Sequence, residues 1–95
     1  MEKSFDEELV DIMNKSALAL MISIGHRTKL FDIIAELPAS TSDDIAAKAG
    51  LNERYVREWL GALVTAKIID YDPSPKLYSI SKEKADLLTR NGSFN

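Results

Sequence analysis

The sequence predicts a mainly α-helical domain with one small β-hairpin, arranged as a winged helix-turn-helix that is preceded by a long N-terminal helix. Three observations predict it. Apolar residues recur at three- and four-residue spacing over most of the chain, which is the helical period. After Lys67 the pattern changes to alternation on both sides of a proline-containing turn at residues 73–76, as in two short strands. Two helices with clear start and stop signals stand directly before this hairpin.

Length and composition indicate one small domain and exclude most catalytic classes. The chain has 95 residues, is 45% hydrophobic and 28% charged, and contains no cysteine. Because His26 is the single histidine, clusters of His and Cys that bind metals are excluded. The longest apolar run, residues 17–22, is far shorter than the roughly 18 residues that span a bilayer. We therefore expect a cytoplasmic protein without a membrane partner.

The first helix is predicted from Phe5 to Ile24, with Gly25 interrupting it. Its first half has a polar face, whereas from Ala17 onward apolar groups point in all directions and need cover on every side. A second copy of the chain is the expected cover, which makes the protein a homodimer. The predicted dimer interface is Leu18, Met21 and Ile22. In the alternative, Gly25 folds the second helix back over the extra apolar face.

The next two helices are short and well delimited. The second ends before Pro38, which disfavours helical geometry in the preceding residue. Thr41 begins the third as its N-cap, with two carboxylates in the first turn, and Gly50 supplies a left-handed stop. The single domain thus comprises the long helix over residues 1–25, the winged helix-turn-helix over residues 26–90, and a tail or linker start over residues 91–95.

The fourth helix begins after the N-cap Asn52 and runs to about Ala66. Its predicted apolar face is Tyr55, Val56, Trp59, Leu60, Leu63 and Val64. The hairpin follows, and Ser81 begins a last short helix that Asn91 and Gly92 end. Trp59 is interpreted as a core residue rather than a stacking platform, and His26 as part of a polar helix junction.

A winged helix also raises the possibility of DNA binding. If the fourth helix entered a major groove, the contact residues would be Arg54, Arg57 and, from the wing, Lys76. Glu53 and Glu58 lie on the same surface and cancel the two arginine charges. A small dimeric DNA-binding transcription regulator therefore stays the alternative to an interaction module.

Three segments resemble a known family. They are SIGHRTKLFD (residues 23–32), GLNERYVREWLGALVTAKIIDYD (residues 50–72) and KADLLTR (residues 84–90). Together they resemble the N-terminal winged-helix region of class I S-adenosylmethionine-dependent methyltransferases. The resemblance implies a non-catalytic module that dimerises and caps the substrate site of a Rossmann-like catalytic domain, in the same or a partner chain.

The catalytic half of that family has no counterpart in these residues. Methyl transfer needs a glycine-rich turn at which the backbone approaches the cofactor, and the glycines here are too far apart for even G-x-G. We therefore assign no catalytic, cofactor-binding or metal-binding residue. S-adenosylmethionine is implied only for a full-length relative, and any methyltransferase activity would reside in a further C-terminal domain.

Overall fold

The computed structural model describes residues 4–89 and has the predicted mainly α architecture with one small hairpin. In chain order the elements are α1 (Phe5–Arg27), α2 (Leu30–Glu36), α3 (Ser42–Ala49), α4 (Glu53–Thr65), β1 (Asp70–Asp72), β2 (Leu77–Ser79) and α5 (Lys82–Leu88). The predicted stop at Asn91 and Gly92 and the tail over residues 91–95 lie outside the described residues.

The predicted helix caps are confirmed. The side-chain oxygen of Thr41 accepts a hydrogen bond from the backbone N–H of Asp44, and Gly50 ends α3 with a φ of 70°. The Asn52 side chain accepts from the N–H groups of Arg54 and Tyr55 at the start of α4. Each cap satisfies a backbone group that the helix itself leaves without a partner, which is why these ends could be predicted from local sequence.

The hydrophobic core lies between α2, α3 and α4. Its largest fully buried side chains are Phe31, Leu30, Ile45, Leu60, Leu63, Ile69 and Val56. Trp59 is 2% exposed, as predicted for a core residue, and its ring meets that of Phe31 edge to face with centroids 5.1 Å apart. Tyr55 departs from the prediction. It is 42% exposed, at the start of α4 and one turn before the buried Trp59.

The hairpin is attached to the helical core through the loop between α2 and α3. Tyr71 and Tyr78 face each other across the two antiparallel strands, with ring centroids 4.6 Å apart. Tyr78 also exchanges two backbone hydrogen bonds with Ser40, of 3.0 and 2.8 Å. The wing is therefore held against the domain through β2 rather than hanging free.

The prediction that Gly25 interrupts the first helix was wrong. α1 continues through Gly25 to Arg27, and the chain turns at Thr28 and at Lys29, which has a φ of 67°. Gly25 is buried, and a Cβ there would collide with the Trp59 ring and come within 2.6 Å of Phe31 Cε2. The glycine is thus a close-contact position inside the helix rather than a helix stop.

Candidate interaction surfaces

The first half of α1 extends beyond the core of its own domain. None of residues 4–17 is buried, and Asp11 alone in that stretch is half-buried. Large apolar side chains nevertheless occur there, and Phe5 is 72% exposed and Met13 62% exposed. The other large exposed apolar residues of α1 are Leu9, Val10, Ile12 and Leu20. An exposed apolar surface of this kind usually marks an interface.

Part of this apolar surface forms a regular stripe along the side of α1 opposite the core. We call it the outer stripe, and it consists of Phe5, Leu9, Ile12, Ser16, Ala19 and Ser23. The spacing alternates between four and three residues, which keeps all six on one helical face. The residues of the first half of the stripe are bulky and those of the second half are small. Each of the six is exposed.

The three predicted interface residues lie on a different side of α1. Leu18, Met21 and Ile22 are half-buried and pack against the core of their own domain. The Trp59 Nε1–H donates a 2.9 Å hydrogen bond to the Met21 carbonyl oxygen, which attaches this side of α1 to α4. Their assignment to a dimer interface stays a prediction. The outer stripe was not predicted from the sequence, although the three-residue spacing of Leu9 and Ile12 places both on one helical face and was the available signal.

An apolar groove separates the second half of α1 from α5. Its volume is about 570 Å³. The lining residues are Ala19, Ile22, Ser23, His26, Ile68, Lys84, Leu87 and Leu88. Lys84 closes one edge, and its Nζ donates a 2.6 Å hydrogen bond to the carbonyl oxygen of Lys67. Since Ala19 and Ser23 belong to both features, the α1–α5 groove is continuous with the small half of the outer stripe.

A second groove, of about 590 Å³, runs along the other side of α1 against α4. The residues that line it are Asn14, Lys15, Ala17, Leu18, Met21, Gly61, Ala62, Thr65 and Ala66. Gly61 leaves open space here, because a Cβ at this position would meet no atom within 4 Å. The second half of α1 therefore has an open groove on each side.

The predicted DNA-contacting side chains of α4 are exposed but paired with acids of the same helix. Arg54 Nε lies 3.4 Å from Glu58 Oε1, and Arg57 Nε lies 3.6 Å from Glu53 Oε2. Glu53 also accepts a 2.5 Å hydrogen bond from the Ser42 hydroxyl, which links α3 to α4. These pairings leave the exposed face of α4 without a net positive charge.

The wing adds little positive charge to this face. Lys76 is exposed at the hairpin turn, with a φ of 58°, between β1, which has an aspartate at each end, and β2. On β2, burial raises the pKa of the Tyr78 hydroxyl, the nearby Tyr71 and Glu53 raise it further, and Arg57 partly opposes them.

The described part of the chain shows neither a metal-binding cluster nor a membrane-spanning helix. Within residues 4–89, no group of three or more His, Asp or Glu side chains is arranged to hold a metal ion. No helix in the described part of the chain is long and apolar enough to cross a membrane.

Several solved structures share this fold. PigF, determined with S-adenosylhomocysteine, superimposes with a TM-score of 0.82 at 20% identity, over 95% of this chain and 26% of PigF. Human N-acetylserotonin methyltransferase, in complex with S-adenosylmethionine, gives a TM-score of 0.80 at 20% identity, over 96% of this chain and 27% of the enzyme. A candidate O-methyltransferase from Nostoc punctiforme gives 0.78 at 18% identity, over 98% of this chain and 28% of that protein.

The chain thus spans about a quarter of the length of these structures. At such identities the likeness establishes the fold. A search of curated proteins by sequence finds no significant match. The family model of the Rv2258c-like winged HTH domain matches residues 16–90, which include every described element after the first half of α1. This match confirms the resemblance to the winged-helix region of methyltransferases, and the chain belongs to the Rv2258c-like winged HTH domain family.

Proposed function

We propose that this chain is a non-catalytic dimerisation and substrate-capping module of an S-adenosylmethionine-dependent methyltransferase. It pairs with a second copy through α1 and presents its remaining surface to a Rossmann-like catalytic domain. Family membership and the shared fold support the methyltransferase context. The cofactor would be bound by the catalytic domain, since these residues lack the glycine-rich turn that it needs.

The observation that carries the dimerisation is the exposed first half of α1. This segment contributes no buried residue to its own domain, yet it presents Phe5, Leu9 and Ile12 to solvent on one face. A helix of this kind gains little from its own chain, because most helical stability comes from packing an apolar face. Two copies related by a two-fold axis would bury the same face on both helices at once.

The substrate-capping part of the proposal rests on the α1–α4 groove. This groove lies on the other side of α1 from the α1–α5 groove, so dimerisation through the outer stripe would leave it open. Its small residues, Gly61 and Ala62 among them, permit close approach by another backbone. A catalytic domain seated there would be walled on one side by the winged helix.

Sedimentation equilibrium tests the dimerisation with a matched pair of variants. The wild-type chain is expected to be a dimer at high micromolar concentration. Leu9→Asp places a charge in the outer stripe and should raise the dissociation constant at least about 30-fold, the effect of losing a residue that dominates an interface. Val10→Asp makes the same kind of change about 100° away around the helix and should leave the dimer intact. A wild-type chain that stays monomeric would contradict the proposal.

A further inference from the structure

We propose that the two α1 helices of the dimer pack antiparallel in one register, in which the bulky half of each outer stripe fills the small half of the other. This arrangement rests on the dimerisation proposed above. It places Phe5 of one copy beside Ser23 of its partner, Leu9 beside Ala19, and Ile12 beside Ser16. The pairing covers α1 over about 27 Å at about 1.5 Å per residue.

The first argument is the order of side-chain sizes along the stripe. Three bulky residues are followed by three small ones, with the same alternating spacing throughout. In an antiparallel two-fold pairing, one register therefore sets each of the three bulky residues against a small one. Facing layers that alternate large and small side chains interdigitate without voids. A parallel pairing would instead crowd the bulky halves together and leave the small halves apart.

The second argument is the groove that adjoins the small half. Ala19 and Ser23 form one wall of the α1–α5 groove, and Leu87 and Leu88 line it from α5. In the proposed register, Ala19 lies level with Leu9 of the partner and Ser23 lies level with Phe5 of the partner. The groove thus offers an apolar cavity where two bulky exposed side chains of the partner would arrive. Leu87, which is 43% exposed in the single chain, would be covered by Phe5 of the partner.

The third argument is the distribution of charge along α1. Its first turn carries Asp6, Glu7 and Glu8, and its last turn carries His26 and Arg27. Antiparallel packing brings the acidic start of each helix to the basic end of the other, where Lys84 also lies at the groove edge. It also opposes the two helix dipoles. Parallel packing would set acid against acid and base against base.

Disulfide cross-linking tests the register directly, since these 95 residues include no cysteine. The variants Leu9→Cys and Ala19→Cys are prepared with tags of different mass, mixed and oxidised. The expected product is a disulfide between one copy of each, whereas each variant alone should stay largely un-cross-linked. Mixing Val10→Cys with Ala19→Cys is the matched control, because Val10 lies outside the stripe, and it should give little product.

The outcomes separate this proposal from dimerisation itself. If sedimentation shows a dimer but the mixed disulfide does not form, the register is wrong and the dimer stands. Rapid cross-linking of Leu9→Cys with itself would show a parallel pair. A monomer would refute both proposals.

A second variant tests the same register without oxidation. Ser23→Leu adds an apolar group to the exposed surface, which would strengthen any unspecific apolar association. In the proposed register it occupies the place of the partner's Phe5, so the dimer should weaken by about tenfold or more, an overpacking effect. A tighter dimer of Ser23→Leu would overturn the register.

Discussion

Gly25 shows how one residue determines how closely a helix packs against its neighbours. Its missing side chain lets the Trp59 and Phe31 rings lie against the α1 backbone, and the indole then donates its hydrogen bond to the Met21 carbonyl. Both rings belong to the buried core. The attachment of α1 to the rest of the domain thus depends on the absence of a Cβ at one position.

We predict that Gly25→Ala destabilises the fold. The new methyl group would overlap the Trp59 ring, and relieving that overlap by shifting packed aromatic rings should lower the free energy of unfolding by about 1–3 kcal/mol. Urea denaturation followed by tryptophan fluorescence measures this change. Gly61→Ala is the control, because a Cβ there meets open space and alanine favours a helix, so stability should rise by up to about 1 kcal/mol. Equal effects of the two substitutions would contradict the close-contact role of Gly25.

At the scale of the element, α1 has two apolar sides in different environments. The side that carries Leu18, Met21 and Ile22 packs on its own core, and the outer stripe faces solvent. The sequence pattern predicted the interface on the first of these sides. That side is apolar because it is covered within the chain, so substitutions there report on folding as well as on association.

We therefore predict that Leu18→Asp lowers stability, whereas Leu9→Asp does not. Leu18 is half-buried against the core, and replacing it with a charge should cost about 1–3 kcal/mol of unfolding free energy. Leu9 has no such contact within its own domain, so the unfolding free energy of the monomer should change by less than about 0.5 kcal/mol. Chemical denaturation at concentrations well below the dimer dissociation constant separates the two effects. A folded monomer of unchanged stability for Leu18→Asp would restore the original interface assignment.

At the scale of the whole molecule, the charge distribution argues against a DNA-binding role. The net formal charge is −3, and the exposed cations of α4 are paired with glutamates one turn away. DNA binders concentrate positive charge on the face that docks, because contacts to phosphates provide much of the affinity. This chain has the helix-turn-helix geometry without such a concentration of positive charge on α4.

We predict no salt-sensitive retention of genomic DNA fragments by the chain in a gel-shift assay. The reason is the cancelled charge on the face of α4, and the Arg54→Ala and Arg57→Ala variants should behave like the wild type. The double variant Glu53→Gln with Glu58→Gln is the positive control, since it unmasks both guanidinium groups and should increase unspecific retention. Retention of the wild type that both arginine variants abolish would instead establish the transcription regulator.

Features that depend on neighbouring residues could be predicted from the sequence. Caps such as Thr41 and Asn52, the left-handed stop at Gly50 and the hairpin turn each follow from a few adjacent side chains and the backbone groups beside them. The family could be recognised for the same reason, because its motifs are contiguous segments. These features place the elements in order and define a winged helix.

The tertiary structure alone decided which side of each apolar helix is covered within the chain. The second half of α1 is apolar almost all round, so its pattern does not show which side faces the core. The hydrogen bond from Trp59 to the Met21 carbonyl oxygen and the packing of Leu18 and Ile22 on the core turn the outer stripe to solvent. Whether Gly25 ends a helix or accommodates an aromatic ring depends likewise on residues far along the chain. Local sequence determined the elements of this protein, and contacts between distant residues determined which apolar surface it leaves exposed.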